Sequence, residues 1–488
     1  MRTERFAPRA SLLIESMRDI GYTLETALAD VIDNSITAGA KTVRLLVDTS
    51  TNSPSFAIVD DGTGMDEETL LGAMRLGSRS PLEVREVLDL GRFGLGLKTA
   101  SFSQCRRLTI VSRLDGKTSC AKWDLDHVVQ TDDWLIQIPS DISSVPCVAE
   151  LGPTGTLVLW ESLDRLVDAG DLGQQHFVKR VTEAAEHLEL VFHRFLTGEK
   201  GIKKIKLLLN GRALEPFDPF HSDHPATDAG SVEKIRANGQ EVSLQAFTLP
   251  HHQKVSLAEW ERYGGRSGYV KNQGFYLYRG KRLIIHGTWF GLAKQMELTK
   301  LARVRIDIPN GLDAEWKIDV KKASAHPPRQ VRDKLRILIE TIGASSKRVY
   351  TSRGKRLVSD DHLPVWCRQQ SKNEISYRIN PDHPVIVSFM SRLADDTRED
   401  FLKIIELAGS TIPMDALFAD ISGQPGSVSG ELMSPEALKH AVTATFEHLR
   451  NEFGRESIIA MLKSADPFRS QWVLTERIVA GIEEKRNV

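Results

Sequence analysis

Apolar positions in residues 1–195 switch between a helical period and runs typical of strands. Leu24, Ala27, Leu28, Val31, Ile32 and Ile36 recur at helical spacing within Leu24–Ala40 (LETALADVIDNSITAGA), which predicts a helix with one apolar stripe. Thr42–Asp48 (TVRLLVD) and Ser55–Val59 (SFAIV), each flanked by turn residues, predict strands. Leu108–Arg113 and Thr156–Trp160 predict two more. Residues 174–197 return to helical spacing, with Phe177, Val181, Ala184 or Ala185, Leu188 and Phe192 on one face, until Gly198–Gly201 breaks it.

A second α/β pattern follows. Ile202–Asn210 runs into a Gly-Arg turn, residues 215–230 are polar, and Gly274–Arg279, Arg282–Ile285 and Val304–Ile308 are strand-like. From about residue 345 the spacing is mainly helical. Ser434-Pro435 suits a helix start, Leu438, Val442, Phe446, Leu449 and Phe453 mark one face, and Gly454 is the expected end. The chain therefore divides into 1–198, 199–340 and 341–488, the last a helical domain.

Composition adds exclusions. Hydrophobic residues make up 41% and charged residues 26%, as in ordinary globular proteins. The net charge of -1 excludes a uniformly basic nucleic-acid coat but leaves local patches. No run of about 18 apolar residues predicts a membrane helix. The cysteines at 105, 120, 147 and 367 lack C-x-x-C spacing, which argues against a structural zinc site and fits a cytoplasmic protein.

Four segments carry candidate chemistry. Asp30 and Asn34 stand four apart on the first predicted helix and share a face. Val59-Asp60-Asp61-Gly62-Thr63-Gly64-Met65 sends a strand into D-D-G-x-G, where glycines admit a flat ligand and Asp60 accepts from an amino group. Gly91-Arg92-Phe93-Gly94-Leu95-Gly96-Leu97-Lys98 is glycine-rich and precedes a helix-compatible stretch. It is neither a P-loop, since Leu97 separates Gly96 from Lys98, nor a dinucleotide fingerprint, since Thr99 takes the third glycine position. Gly152–Trp160 reads as a turn into a strand.

In order and spacing these segments resemble the GHKL ATPase superfamily, which includes the gyrase B subunit, the ninety-kilodalton heat-shock chaperone, histidine kinases and MutL; the MutL and MORC branch is most similar. The resemblance implies an α/β sandwich of the Bergerat type, followed by an S5-like transducer domain at 199–340. It implies ATP and Mg2+ as ligands. Asn34 would coordinate the metal, Asp30 would orient the attacking water with Asp33 as an alternative base, and Asp60 would bind the adenine amine with Met65 near the base. Gly62 and Gly64 complete that motif. Gly91, Phe93, Gly94, Leu95, Gly96, Leu97 and Lys98 would form the hinge and phosphate contacts of a lid spanning 67–92. Thr156 would support Asp60, and Lys321 or Lys322 would reach the terminal phosphate. The related branches usually carry glutamate where this chain has Asp30, one methylene shorter.

The implied function is an ATP-gated switch or dimeric clamp, with slow ATP hydrolysis, in DNA repair or anti-phage or restriction-type defence. Its implied partners are a second copy, DNA, and co-acting nuclease or helicase proteins on the C-terminal domain, with no membrane. Two basic clusters are candidates for phosphate-backbone contact: Lys200, Lys203, Lys204 and Lys206, and Arg279, Lys281 and Arg282. A nucleotide-dependent binding module with negligible hydrolysis is the alternative. A sensor histidine kinase is disfavoured, because the first histidine, His127, lies downstream of the first two motifs.

Overall fold

The computed structural model describes residues 3–4, 8–48, 53–77, 96–166, 171–318, 325–355, 363–370, 375–423, 432–450 and 453–484. It divides into two compact units, Met1–Ile342 and Gly343–Val488.

In the first unit, helices α1 (Ala10–Arg18) and α2 (Leu24–Thr37) precede strands β1 (Thr42–Asp48) and β2 (Ser55–Asp60). Then come α3 (Glu67–Met74), α4 (Gly96–Phe102), β3 (Arg107–Leu114), β4 (Lys117–Asp124), α5 (Leu125–Thr131) and β5 (Gly155–Glu161). After α6 (Asp171–Val191) and α7 (His193–Thr197), β6 (Lys206–Leu209) and β7 (Arg212–Ala213) complete a seven-stranded sheet of order β4-β3-β5-β2-β1-β6-β7. Its pairings are antiparallel except β1 with β6, so this sheet extends past residue 198. The Asp115-Gly116 turn, with φ of 50° and 77°, closes the β3–β4 hairpin, as a tight primed turn requires.

β2 is central, which is why its apolar run is nearly continuous: it is covered on both faces. Phe56 and Ile58 point to the helical layer, with Leu28, Phe102, Leu188 and Trp160. Ala57 and Val59 point the other way, with Val111 and Leu157, beneath Ile142, Val145 and Val148. The period of two then turns Asp60 toward the helices and Asp61 away from them. Asp61 instead accepts from the backbone N–H groups of Lys41 and Thr42, at 2.6 and 2.8 Å, and pins the start of β1.

A second sheet follows. β8 (Asp228–Ala229), β9 (Glu233–Ala237), β10 (Gln240–Thr248), β11 (Gly274–Arg279), β12 (Arg282–Thr288) and β13 (Ala302–Ile308) run β12-β11-β13-β10-β8, with β9 on β10. Between β10 and β11 lie α8 (Leu257–Gly264) and α9 (Gly268–Lys271). Phe275 and Leu277 of β11 join Trp289, Val304 and Trp316 in one core, lined also by Val331 and Leu335 of α10 (Arg329–Lys355). Tyr276 and Tyr278 face the other way, with Phe220, Phe247 and Leu190 of α6.

The second unit contains the hairpin β14 (Trp366–Gln370) and β15 (Ile375–Ile379) and helices α11 (Pro384–Met390), α12 (Asp395–Ser410), α13 (Met414–Gly423), α14 (Pro435–Leu449), α15 (Arg455–Ser464) and α16 (Trp472–Glu484). Its main core joins Leu438, Val442, Phe446 and Leu449 with Ile458, Leu462, Phe468 and Val479. Ser434 caps α14 by accepting from the Ala437 N–H at 3.3 Å, as expected. The far end differs. α14 stops at Leu449, Phe453 is exposed, and Gly454, in extended backbone, is the N-cap of α15.

Candidate active site

The site forms where strand alternation and one helix meet. On the helix-facing side, Leu108 and Ile110 of β3, Ile58 of β2 and Val158 of β5 enter the core. One step further along each strand the residue is polar: Ser112, Asp60 and Thr156. Register aligns them, since Asp60 pairs with Thr156 and Thr156 with Ser112. α2 lies over this row, and the Ser35 hydroxyl donates to Asp60 Oδ2 at 2.9 Å.

Asp60 is buried, and its other oxygen, Oδ1, accepts from the N–H groups of Gly62 (2.9 Å) and Thr156 (3.2 Å). Burial pushes its carboxyl above the usual aspartate range, while the hydrogen bonds from Gly62, Ser35 and Thr156 oppose that rise. The support expected from Thr156 comes through its backbone; its hydroxyl bonds the Ser112 hydroxyl at 2.9 Å. Ser112 in turn accepts from the Met65 N–H at 2.8 Å, and Met65 packs against the core. Gly64 has φ of 75°, and a Cβ there would run into the Arg113 carbonyl oxygen, so glycine is required by both backbone and space. At Gly62 a Cβ would lie 2.9 Å from the Ala38 Cβ, so the D-D-G-x-G loop and the end of α2 touch.

On α2, Asp30 and Asp33 are buried and Asn34 is exposed. Asn34 Nδ2 donates to the Asp30 carbonyl at 3.1 Å, which leaves its amide oxygen as the end available to a hard cation. Asp30 Oδ2 accepts from the Tyr22 hydroxyl at 2.9 Å and lies 3.5 Å from where a Cβ on Gly96 would sit. Burial pushes the Tyr22 hydroxyl pKa up, so it stays a donor to Asp30. α2 is thus not a surface helix with a solvated polar face: Arg282 of β12 places Nε 3.2 Å from Asp33 Oδ1 and Nη2 3.7 Å from Asp30 Oδ1.

The third motif is described from Gly96 onward; Gly91, Phe93, Gly94 and Leu95 lie outside the described residues, as do Lys321 and Lys322. Gly96 starts α4, and Leu97 packs on the core. Lys98 is buried, donates to the Ala73 carbonyl at 2.9 Å, and is held by burial at about 8, below the ordinary lysine value. The expected lid segment 67–92 begins instead with packed helix: Leu70 and Met74 of α3 are buried, and the Asp66 carboxylate caps α3 by accepting from the Thr69 N–H at 2.8 Å.

Residues 22–152 match the family described as "Histidine kinase-, DNA gyrase B-, and HSP90-like ATPase". This segment belongs to the GHKL ATPase superfamily. A stretch of 91 residues is also 31% identical to ATPase morc-1 of Caenorhabditis elegans, covering 19% of this chain and 10% of that protein. The chain thus spans about a tenth of that relative's length. The GHKL segment holds Asp30, Asn34, Asp60, Gly62, Gly64, Met65 and Lys98, and ends just before Thr156. The 91-residue likeness to morc-1 supports a MORC-like affinity.

Within the GHKL segment the structure adds Tyr22, Ser35 and Ser112, which sequence reasoning missed, and from the second sheet it adds Arg282, which the sequence placed only in a basic cluster. Ser112 carried a signal, because the alternation through Leu108 and Ile110 points it inward with Asp60. The structure also removes a candidate. Arg279 and Arg282, expected as part of a DNA-facing cluster, are buried; Arg279 Nε pairs with Asp313 at 2.7 Å and Lys281 with Glu199 at 3.2 Å. Lys200, Lys203, Lys204 and Lys206 are exposed. Among the described residues no helix is long and apolar enough to cross a membrane.

Proposed function

We propose that this chain binds ATP between α2 and the polar end of the first sheet and hydrolyses it slowly, using the nucleotide to gate a switch or dimeric clamp. The observation that carries the reading is the buried Asp60. Its Oδ1 and Oδ2 are held by Gly62, Thr156 and Ser35, and Gly62 and Gly64 let the following loop fold closely against Ala38 and Arg113 beside it. A buried carboxylate recognises an exocyclic amine sharply, because a ligand lacking the amine leaves it unpaired.

One helical turn separates Asp30 from Asn34, so both act at the same end of the ligand. The Asn34 amide oxygen suits magnesium, which would neutralise phosphate charge when bound. Asp30 orients water, and Tyr22 fixes one of its oxygens. The four exposed lysines at 200–206 are the surface proposed to meet a DNA backbone. A second copy completes the clamp, and the helical C-terminal unit is the proposed docking platform for nuclease or helicase proteins. The setting is the cytoplasm, in repair or defence against foreign DNA.

The second reading is a nucleotide-locked binding module with negligible turnover. It is favoured by the short Asp30 side chain and by its engagement with both Tyr22 and Arg282. Steady-state phosphate release by the full chain, compared with Asp30→Ala, separates the two. A working base predicts a fall of roughly 10²–10⁴-fold. Equal rates with retained ATP binding favour the module.

A further inference from the structure

Arg282 lies 249 residues from Asp33 in sequence, on the second sheet, yet its guanidinium meets that residue of α2. Its position is fixed by a short hairpin. Gly280 and Lys281, with φ of 54° and 72°, form the two-residue turn between β11 and β12, and Arg279 pairs with Arg282 across it. The three cations of this hairpin take three different carboxylate partners. Arg279 holds Asp313, Lys281 holds Glu199, and Arg282 holds Asp33.

Neutralising Asp33 would need only one nitrogen. Arg282 uses Nε for that, Nη1 for the Leu283 carbonyl at 3.0 Å, and turns Nη2 toward Asp30. The Phe192 ring lies 5.8 Å from the guanidinium carbon and limits how the group can rotate. Asp30 is therefore bracketed: Tyr22 on Oδ2, Arg282 on Oδ1, and the Gly96 end of the glycine motif beside Oδ2. A planar fork can serve two carboxylates and a carbonyl at once, and an ammonium group cannot do so in the same geometry.

Resting on the ATPase reading above, we propose that Arg282 is a positioning residue for ATP turnover. Its guanidinium, delivered by the second sheet, sets the orientation of the Asp30 carboxylate and makes that orientation depend on how the second sheet seats on α2. Asp60 is held by Ser35, Gly62 and Thr156, whereas Arg282 meets Asp33, Asp30 and the Leu283 carbonyl, so nucleotide affinity is separable from turnover.

The test uses the full chain with MgATP and measures kcat, KM and the Kd for a fluorescent ATP analogue. Three variants are compared with wild type: Arg282→Gln, Arg282→Lys, and the double variant Arg282→Gln with Asp33→Asn, which removes the buried cation with its nearest anion. The expected result is a kcat about 100-fold lower in Arg282→Gln, the cost of a misplaced catalytic group, with KM and Kd within about 3-fold of wild type. Arg282→Lys regains part of the loss. The double variant unfolds near the wild-type temperature yet stays as slow as Arg282→Gln. Wild-type turnover in Arg282→Gln overturns the proposal, as does full recovery in the double variant, which would leave Arg282 only the task of neutralising Asp33. A joint fall of kcat and affinity in the double variant, or loss of the fold in all three, assigns Arg282 to the scaffold and also overturns it. Each of those outcomes leaves the ATPase reading intact when wild type turns over; absence of turnover in wild type removes both.

Discussion

The first unit buries carboxylates in two contrasting ways. Asp60, at the end of the first sheet, is held among the described residues by neutral donors: two backbone N–H groups and a serine hydroxyl. Asp33, Asp307 and Glu199, between the two sheets, are held by guanidinium or ammonium groups, while Asp30 takes one partner of each kind, the Tyr22 hydroxyl at 2.9 Å and Arg282 at 3.7 Å. Neutral donors orient a charge without cancelling it, so Asp60 still has charge to offer a ligand. Ion pairs cancel it, so the inter-sheet layer locks the sheets together. The contrast separates a reading surface from a coupling surface within one fold.

The largest expected effect breaks the coupling surface. Arg194 on α7 is buried and bridges Glu199 and Asp307, the latter at 2.5 Å. Arg194→Leu removes the shortest ion pair of both carboxylates, leaving Glu199 to Lys281 and Asp307 to Arg305 at 3.9 Å, and should cost about 3 kcal/mol in urea denaturation. A loss under about 1 kcal/mol would mean that the layer is not ion-pair locked.

Next comes the reading surface. Asp60→Asn keeps the shape but places an NH2 where two N–H groups or an amine must be accepted. ATP affinity measured by calorimetry should fall at least about 10-fold, as expected for about 1–3 kcal/mol from a mispaired buried group. Unchanged affinity would take Asp60 out of the site.

A third, smaller effect is pH-dependent and belongs to the coupling layer. Burial lowers His193 to about 4, with Asp218, Arg194, Glu199 and Arg305 around it, and its Nε2 is 2.8 Å from the Tyr278 hydroxyl. Burial also lowers His286 to about 4, beside Arg303. An unfolded histidine titrates near 6.5, so below that pH the unfolded chain binds more protons than the folded one. Stability should be complete above about pH 6.5 and fall as pH drops toward 4, by on the order of 1 kcal/mol per histidine. Melting temperature from pH 7.5 to 5 checks this, and His193→Gln should flatten the slope. A slope unchanged by that substitution would exclude His193 as a source.

The smallest effect sharpens the row itself. Ser112→Ala removes the acceptor for the Met65 N–H and should cost about 1 kcal/mol in stability, with a modest loss of ATP affinity. No change in either would mean that Ser112 merely fills space.

Much of the architecture was legible from local patterns. β1 was placed residue for residue, because a β-branched run between turn residues has few alternatives. β4 (KTSCAKWD) was missed, since an edge strand alternates polar and apolar residues and lacks a continuous run. The strand expected from Ile202 is shorter, and β6 joins the first sheet by pairing parallel with β1, a partner that no local pattern names. Phe453 looked like a fifth helix position, yet Gly454 starts a new helix there. Within the site, Asp60 and Asn34 were legible as motif residues, and Ser112 was recoverable from alternation. The fate of Arg279 and Arg282 was not, because a basic triplet reads alike whether solvated or paired.

By itself the sequence determined which residues alternate, where α2 and α14 begin, and that Asp60 must point opposite to Asp61. Those are properties of bonded neighbours and of periods set by backbone geometry. Only the tertiary structure decided that Asp30 and Asp33 of α2 are buried while Asn34 is exposed, that Lys98 is spent on the Ala73 carbonyl, and that Arg282 meets Asp30 and Asp33. Such pairings are set by burial and charge compensation across hundreds of residues, where sequence distance carries no information about proximity.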